Sequence, residues 1–295
     1  MPVVVVGNIT VGGTGKTPLV LATAEYFQRT GRKPGIVSRG YGGKAGTRPH
    51  LVSATDSPAV VGDEPLLLKQ RSALPVAICP DRVMAARLLV KQEHCDVIVC
   101  DDGMQHHRLF RDLDIMVIDG ATGIGNGWCL PAGPLREPAS AVHRAKLHII
   151  NGPNCCQWKP AAEYGTFSMS VHGDEVHAIR DPSQRMALSR LQGVIHAVAG
   201  LGNPERFFHA LELAGLDTVL HPFPDHHPFR LDDFSFASEQ STIVMTEKDA
   251  AKCASLEIPG RIWVLPVSAD IDPSFFQALS GALGFKPSVP GRAAR

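Results

Sequence analysis

The chain has 295 residues, of which 44% are hydrophobic and 20% charged, and its 29 basic and 29 acidic side chains leave a formal net charge of zero. This composition is typical of an ordinary globular protein with one large domain or two smaller ones, and it gives no reason to expect nucleic acid as a partner. We find no apolar run near the roughly 20 residues of a membrane-spanning helix, and no visible secretory signal.

Up to about residue 150, short apolar runs alternate with helical patterns. Strands are predicted at residues 3–6, 35–38, 75–79, 96–100, 114–119 and 146–150, and helices at residues 17–29, 63–73 and 81–94. The runs at 96–100 and 114–119 are continuously apolar, as expected of strands buried on both faces. This alternation predicts a parallel sheet with right-handed crossovers.

The pattern changes after Asn151. The runs at residues 166–171 and 175–180 flank the turn signal "HGD" and predict a β-hairpin. A second α/β pattern follows, with a strand, a glycine turn and a helix over residues 193–215 and further strands at 241–246 and 261–267. We therefore predict a parallel-sheet domain at residues 1–152, a linker with a β-hairpin at 153–190, and a smaller α/β domain that closes the cleft at 191–295.

The stretch "GNITVGGTGKTP" (residues 7–18) lies directly after the first strand and looks like a phosphate-binding loop. It departs from the pattern G-x-x-x-x-G-K-[ST] because Thr10 stands where the first glycine is expected. Its remaining glycines allow close backbone approach to phosphate oxygens, and the following helix start favours anions. Lys16 would reach the β- and γ-phosphates, and Thr17 would offer its hydroxyl to Mg²⁺. We predict that the first domain is P-loop NTPase-like and that the nucleotide contacts are Thr10, Gly12, Gly13, Thr14, Gly15, Lys16 and Thr17.

A pair of acids follows the apolar strand in "DVIVCDDGMQHH". In folds of this kind such a strand end lies beside the phosphate loop. Asp101 or Asp102 could therefore hold the Mg²⁺ shell, directly or through water. The alternative is that the two acids merely cap the strand.

Three further stretches place charged side chains at helix starts or in a rigid loop. "VVGDEP" puts Asp63 and Glu64 at a helix start, where capping is the alternative to catalysis. Arg82 of "PDR" also begins a helix, the unfavourable end for a cation, which suggests an anionic ligand. Arg136 and Glu137 lie between prolines in "PAGPLREP", where the guanidinium could bind a phosphate or form a surface ion pair.

The predicted second domain contains a polar cluster between prolines, "FPDHHPF" (residues 223–229). A histidine paired with a carboxylate can tune a catalytic base, so Asp225, His226 and His227 are candidates. Adjacent histidines seldom bind one metal ion with good geometry. "TEKDAAK" (residues 246–252) carries Lys248 and Asp249, which either cap a helix or close on the nucleotide.

Nine motifs resemble those of a known family and stand in its order. They are "VVVVGNITVGGTGKTP", "RGYGG", "VGDEP", "PDR", "DDGMQHH", "PAGPLREP", "AGLGNPERFF", "FPDHH" and "TEKDA", and the match as a whole runs from residue 2 to about residue 270. The chain resembles the tetraacyldisaccharide 4′-kinase (lipid A 4′-kinase) family, whose loop also lacks the early glycine. The resemblance implies an ATP-dependent kinase that phosphorylates the 4′-hydroxyl of a tetraacylated glucosamine disaccharide 1-phosphate, with Mg²⁺, to give lipid IVA.

The resemblance also implies roles for residues at matching positions. Asp63 is implied as the catalytic base, with His226 as its partner and Lys16 as a third catalytic group. The implied metal ligands are Thr17, Asp101 and Asp102. The implied substrate contacts are Arg82, Gln105, His106, Arg136 and Glu137.

The acylated substrate implies work at the cytoplasmic face of the inner membrane of a Gram-negative bacterium, as a peripheral protein. Seven cysteines without a C-x-x-C pair fit a reduced cytoplasmic interior. Family members usually carry a membrane-contacting helix ahead of the first strand, and this docking element is not visible here, where Met1 directly precedes that strand.

Two other functions compete with a lipid kinase. A deviant-loop P-loop ATPase would carry a second lysine in the loop, where this chain has Val11. A regulatory module switched by nucleotide would bind ATP without phosphate transfer, and Asp63 with His226 would then be superfluous.

Overall fold

The computed structural model describes residues 1–155 and 161–285, and within these ranges it contains two β-sheets with helices on their faces. The strands up to the end of the predicted hairpin are β1 (Val3–Gly7), β2 (Pro34–Ser38), β3 (His50–Leu51), β4 (Val76–Ile78), β5 (Val97–Asp101), β6 (Leu113–Asp119), β7 (Leu147–Asn151), β8 (Thr166–His172) and β9 (Glu175–Ala178). The later strands are β10 (Arg185–Ala187), β11 (Val194–Ala199), β12 (Asp217–Pro222), β13 (Thr242–Thr246), β14 (Arg261–Leu265) and β15 (Ser268–Ile271). The α-helices are α1 (Lys16–Arg29), α2 (Pro58–Val61), α3 (Asp63–Ser72), α4 (Arg82–Gln92), α5 (Glu205–Leu213), α6 (Glu247–Cys253) and α7 (Ser274–Ala282).

The large sheet has the strand order β15-β8-β7-β6-β1-β5-β2-β4-β3 and is parallel except for its two edge strands, β15 and β3. The small sheet has the order β10-β9-β14-β13-β11-β12, with four parallel strands and an antiparallel pair at one edge. The predicted α/β fold with a P-loop-type parallel sheet and a smaller α/β unit is confirmed.

The core of the large sheet lies on both of its faces. β1 is wholly buried; Val4 and Val6 pack on the face covered by α1, and Val5 packs on the face covered by α4. Phe27 of α1 and Leu89 of α4 are fully buried in these two layers. The central strands therefore carry apolar side chains on both faces of the sheet. The polar groups of the site lie at the carboxyl ends of the parallel strands.

The predicted hairpin is wrong, although both of its strands form. β8 lies between β7 and β15 in the large sheet, whereas β9 pairs with β14 and β10 in the small sheet. The turn between them is thus where the chain crosses from one sheet to the other. Alternating hydrophobic residues around a turn signal predict two strands, but they do not indicate which neighbouring strand each of the two pairs with.

The chain also returns to the large sheet near its end. β15 pairs with β8, and α7 packs on α1 through the stacked rings of Phe276 and Tyr26, whose centroids are 4.8 Å apart, and through a hydrogen bond of 2.6 Å between the Tyr26 and Ser280 hydroxyls. Residues 268–282 therefore pack with the large sheet, although the sequence division assigned them to the second domain. The predicted ranges 153–190 and 191–295 also include residues 156–160 and 286–295, which lie outside the described ranges. None of the helices within the described ranges has the length and apolarity of a membrane span.

Candidate active site

The glycine loop between β1 and α1 has the backbone shape that a phosphate cradle needs. Gly12 and Gly15 have φ of +98° and +88°, a region that side chains with a Cβ rarely adopt. A Cβ on Gly12 or Gly13 would meet nothing within 4 Å, so both face open space. A Cβ on Gly15 would instead overlap Asn151, whose amide donates a hydrogen bond of 3.0 Å to the Thr14 carbonyl.

The start of the loop explains why threonine can replace the glycine of the usual pattern. Thr10 forms an antiparallel bridge with Leu135, flanked by hydrogen bonds from Val11 N to Pro134 O (2.8 Å) and from Arg136 N to Ile9 O (2.6 Å). Its φ is negative, as expected of paired, extended backbone, so the position does not require glycine. The stretch around Leu135 thus holds the loop in place of a tight glycine turn.

Lys16, the first residue of α1, points toward the acids after β5. Its ammonium group donates to Asn8 Oδ1 at 3.2 Å and lies 3.7 Å from Asp102 Oδ1. Arg136 binds the other oxygen of Asp102 at 2.8 Å. Lys16 and Arg136 therefore both contact Asp102 beside the glycine loop.

Asp101 and Asp102 lie in opposite electrostatic surroundings. Asp101 ends β5 and accepts a hydrogen bond of 3.3 Å from Ser38; burial, with Glu64 and Asp102 nearby, raises the pKa of its carboxyl to about 7. Burial also acts to raise the pKa of Asp102, but Lys16 and Arg136 outweigh it and hold that pKa below its usual value. Asp102 is thus the stable anion of the pair.

These oxygens suit a magnesium ion. Asp102 Oδ1 is a buried carboxylate oxygen without a hydrogen-bond partner among the described residues. In the part of the chain that the structure describes, no three His, Cys, Asp or Glu side chains converge as a metal cluster. Mg²⁺ does not require one, because it is commonly held by one or two carboxylates together with substrate phosphates and water.

Asp63 and His226 meet although they belong to different parts of the chain. Asp63 is the first residue of α3 and is 6% exposed; its Oδ1 accepts from Glu64 N at 2.9 Å. The Nδ1 atom of His226 lies 3.1 Å from Asp63 Oδ2, at hydrogen-bond distance. The ring of Tyr41 packs 5.1 Å from the imidazole, between ring centroids. This pairing was implied by the resemblance, and its contact is present.

Two lysines of α6 complete this cluster. Lys248 Nζ lies 3.2 Å from Glu64 Oε1, 3.5 Å from Asp225 Oδ1 and 3.9 Å from Asp63 Oδ2. Burial acts to lower the pKa of Lys248, but the three carboxylates outweigh it and raise that pKa above its usual value. Sequence reasoning left Lys248 open, because nothing in "TEKDAAK" indicates that α6 packs beside α3.

Lys252, one turn further along α6, was not singled out from the sequence at all. Its ammonium lies 3.0 Å from Asp249 Oδ1 and 3.9 Å from Asp63 Oδ2. The only available signal was its spacing of four residues from Lys248, which places both cations on one face of a helix.

Of the predicted substrate-contacting residues, Gln105, Arg136 and Glu137 lie beside the nucleotide loop, and Arg82 and His106 lie at the start of α4. Gln105 donates to Asn8 O at 3.0 Å and to Glu137 Oε1 at 2.8 Å, so these two side chains also brace the loop. Arg82 is buried; it donates to Pro80 O at 3.1 Å, and its Nε has no hydrogen-bond partner among the described residues. Burial and the charge of Arg82 hold the pKa of His106 below its usual value.

A strand–glycine loop–helix unit of this shape binds nucleotide phosphates, and a carboxylate paired with a histidine suits removal of a proton from an acceptor. The fold and the site therefore define a kinase of the P-loop class. The particular family follows from comparison with known proteins: residues 1–284 match the family model described as LpxK, tetraacyldisaccharide-1-P 4′-kinase, and the chain belongs to this family.

Individual relatives agree with this assignment. The tetraacyldisaccharide 4′-kinase of Alkalilimnicola ehrlichii is 47% identical over 294 residues, which cover 99% of this chain and 85% of that protein. The tetraacyldisaccharide 4′-kinase of Methylobacillus flagellatus is 45% identical over 285 residues, which cover 96% of this chain and 82% of that protein. A crystal structure of LpxK from Aquifex aeolicus in complex with ATP has a TM-score of 0.78 and 25% identity, covering 96% of this chain and 88% of that one.

Proposed function

We propose that this chain transfers the γ-phosphate of ATP to the 4′-hydroxyl of a tetraacylated glucosamine disaccharide 1-phosphate, forming the 4′-phosphorylated lipid IVA. The observation that carries the proposal is the contact of 3.1 Å between His226 and Asp63, which joins a buried carboxylate at the start of α3 to a histidine that follows β12 of the small sheet. An ATP-driven switch has no need of such a pair, whereas a kinase with an alcohol acceptor does.

The Asp63 carboxylate acts as the base. A sugar hydroxyl has a high pKa, so the proton leaves as the new oxygen–phosphorus bond forms and the bond from the γ-phosphorus to the leaving ADP breaks. Asp63 takes that proton. His226 orients the carboxylate, and the ammonium groups of Lys248 and Lys252 each lie 3.9 Å from its Oδ2 atom.

The loop and its partners act on the phosphates. The glycine loop and the start of α1 bind the β- and γ-phosphates, and Lys16 offsets the charge that develops on them. Thr17, Asp101 and Asp102 are the residues that would hold Mg²⁺. When bound, the ion neutralises charge on the phosphate oxygens. Arg136 donates a hydrogen bond to Asp102 in this structure. It is positioned to bind the phosphoryl group in transfer when the nucleotide is present.

The remaining predicted residues are assigned to the acceptor side. Arg82 is a buried cation with an unused donor, which suits an anionic or hydroxyl-rich ligand. Gln105 and Glu137 border the nucleotide loop, and His106 lies 3.8 Å from Asp81, the residue before Arg82. We propose that the unit formed mainly by residues 191–267 closes over residues 1–152, because the base and its histidine come from the two sides of the cleft.

The acyl chains of the acceptor place this reaction at a lipid surface. We propose that the protein works as a peripheral protein at the cytoplasmic face of the inner membrane, with ATP drawn from the cytoplasm. The relatives named above are kinases of bacteria, and their printed names give the same acylated disaccharide.

The deciding experiment follows phosphate from γ-labelled ATP into a lipid separated by thin-layer chromatography. We expect lipid IVA from the wild-type chain with ATP and Mg²⁺, and a loss of kcat of about 10²–10⁴-fold in Asp63→Asn, with the Kd of ATP nearly unchanged. His226→Ala should lower kcat less than Asp63→Asn does, because the histidine acts through Asp63.

The rival functions give different results. A deviant-loop ATPase would consume ATP at the same rate with and without the acylated disaccharide. A nucleotide-driven switch would bind ATP with the same affinity in both cases. Neither would leave labelled lipid. A kcat within threefold of wild type in Asp63→Asn would refute the base assignment while leaving the kinase activity intact.

A further inference from the structure

A buried ion pair of α6 lies beside the proposed base. Asp249 is 0% exposed, and the ammonium of Lys252 lies 3.0 Å from its Oδ1 atom. A buried ion pair adds little net stability, because both charges lose their water on folding and an apolar pair of similar volume often serves as well. The burial of these two charges therefore calls for a role other than stability.

Asp249 ties α6 to the loop before α5, which comprises residues 200–204. The Oδ2 atom of Asp249 accepts a hydrogen bond of 3.0 Å from Gly200 N, at the start of this loop. Further along the loop, a Cβ on Gly202 would lie 3.6 Å from Gly12 Cα in the phosphate cradle. One oxygen of Asp249 thus holds a loop that reaches the nucleotide site.

The other oxygen of Asp249 contacts Lys252, which lies between this carboxylate and the base. The Lys252 ammonium is 3.0 Å from Asp249 Oδ1, 3.9 Å from Asp63 Oδ2 and 5.3 Å from the centre of the Phe229 ring. Within residues 1–155 and 161–285, neither Lys252 Nζ nor Asp249 Oδ1 forms a hydrogen bond, since their ion pair lacks the required angles. The ammonium therefore has donors left for a further acceptor.

One such acceptor is the base itself. A shift of about 1 Å would bring Lys252 Nζ from 3.9 Å to the distance of a charge-assisted hydrogen bond with Asp63 Oδ2. His226 already approaches this oxygen at 3.1 Å, and Asp63 Oδ1 accepts from Glu64 N at 2.9 Å. A third donor would fix the plane of the carboxylate. That orientation matters because a base must point at the proton it removes.

Lys252 differs from Lys248 in what else it contacts. Lys248 is equally far from Asp63 Oδ2, but it has closer contacts with two other carboxylates, at 3.2 and 3.5 Å. Among the described residues, Lys252 forms ion pairs with Asp249 and Asp63 alone. Its position is therefore set by Asp249 and, through Asp249, by the loop before α5.

We propose that Lys252 is a positioning residue for the carboxylate of Asp63, and that Asp249 places it according to how the loop before α5 is seated. The inference rests on the proposed function, in which Asp63 removes the proton of the acceptor hydroxyl. When ATP fills the cradle and the loop settles on it, Asp249 brings Lys252 to hydrogen-bond distance of Asp63 Oδ2. The base is thus fully oriented only in an enzyme that already holds ATP.

The main test variant removes both charges at once. Asp249→Asn/Lys252→Met leaves neither charge of the pair buried without its partner, and the asparagine oxygen can still accept from Gly200 N. Lys91→Met removes an exposed lysine from α4 and serves as the control. For each variant, kcat, the acceptor KM and the KM of ATP are measured by the labelled-lipid assay, and thermal unfolding checks the fold.

In Asp249→Asn/Lys252→Met we expect kcat to fall about tenfold or more with both KM values within about twofold of wild type, because orientation of the base matters in the transition state. In the Asp63→Asn background, the same double substitution should lower kcat by less than about twofold further, since the pair acts through the Asp63 carboxylate. Lys91→Met should match the wild type in all three quantities.

A second measurement tests the link to the nucleotide and needs neither turnover nor a variant. Amide hydrogen exchange of the wild type is followed with and without a non-hydrolysable ATP analogue. We expect the analogue to slow exchange about threefold or more both in the loop before α5 and in α6, because Asp249 joins them. Residues 175–187, at the edge of the small sheet, are the internal control and should exchange equally in both conditions.

The proposal is overturned by wild-type kcat in the folded double variant, by a loss of equal size in the Asp63→Asn background, or by exchange in α6 that the analogue leaves unchanged. The exchange result decides the matter even if the double variant does not fold. Failure of the proposed function looks different: the wild type itself would then leave no labelled lipid, and the positioning role would fall with the reaction.

Discussion

At the scale of single residues, Lys248 holds together the acidic side of the site. Asp63, Glu64 and Asp225 would repel one another without a cation among them, and Lys248 lies within 3.9 Å of an oxygen of each. Its raised pKa means that the ammonium is more strongly bound in the folded protein than in the unfolded chain. The stabilisation is therefore fully present below the unfolded pKa of lysine, about 10.4, and is lost only as pH rises through the higher folded value.

We predict that Lys248→Met lowers the free energy of unfolding by about 2 kcal/mol, because it leaves the buried carboxylate of Asp63, and the more exposed ones of Glu64 and Asp225, without their shared cation. Urea denaturation measures the loss, which should be similar at about pH 7 and about pH 9. Lys146→Met is the matched control, since its partner Glu163 lies on the exposed surface, and it should give no resolvable change. Equal stability of Lys248→Met and wild type would show that the carboxylates do not need the lysine.

At the scale of elements, the sequence predicted the parallel strands well, because their apolar runs are continuous and are separated by helical periodicity. It did not predict the partners of β8 and β9, since pairing is set by the rest of each sheet and not by the turn between two strands. β15 and α7 were missed as parts of the large sheet for the same reason. Their apolar residues indicate burial but not the surface against which they are buried.

The residues of the candidate site also differ in how far they could be predicted from the sequence. Residues within one motif, such as Lys16 with the loop glycines, could be placed from sequence because a strand–loop–helix unit fixes their geometry locally. The contact of His226 with Asp63 spans 163 positions and was available only through the family resemblance. Lys248 and Lys252 reach Asp63 through packing of α6 on α3, which no local pattern indicates.

The glycine loop makes a prediction that separates binding from folding. Gly13→Ala should keep wild-type stability, because its Cβ meets nothing within 4 Å, but should weaken ATP binding at least tenfold by occupying phosphate space. Gly15→Ala should lose both ATP binding and about 2 kcal/mol of stability, because φ is +88° and the Cβ overlaps Asn151.

Isothermal titration with ATP and thermal unfolding measure the two properties of these glycine variants. Gly281→Ala in α7 is the control, since its Cβ would also meet open space but far from the loop; it should leave ATP affinity unchanged and raise stability by up to about 1 kcal/mol, because alanine favours the helix over glycine. Unchanged ATP affinity in Gly13→Ala would contradict the assignment of this loop to phosphate binding.

At the scale of the whole molecule, the helices of the small sheet bind the large sheet on two sides of the nucleotide loop. Arg206 at the start of α5 lies 2.7 Å from Asp119 at the end of β6, and Arg71 of α3 lies 2.7 Å from Glu247 of α6. Between these ion pairs, a Cβ on Gly202 would lie 3.6 Å from Gly12 Cα. The loop before α5 thus rests over the phosphate cradle, and the ion pairs help to hold it there.

We predict that Arg206→Met lowers kcat/KM for ATP by about three- to tenfold, because the loop before α5 is then held less firmly over the phosphates. Asp119→Asn keeps the oxygen that accepts from the Ala121 and Thr122 amides, so it removes the charge while leaving the turn intact. If the two side chains act as a pair, Arg206→Met/Asp119→Asn should be no worse than Arg206→Met alone.

The matched control for this pair is Arg185→Met, which breaks an ion pair with Glu175 inside the small sheet and should leave kcat/KM unchanged. Arg206→Lys should recover part of the activity, because it restores the charge without the planar guanidinium. Small-angle scattering without nucleotide should show a larger radius of gyration for Arg206→Met than for Arg185→Met. Equal radii and equal kcat/KM values would mean that the small sheet is held over the loop by its other contacts, with Arg71 and Glu247 the next pair to remove.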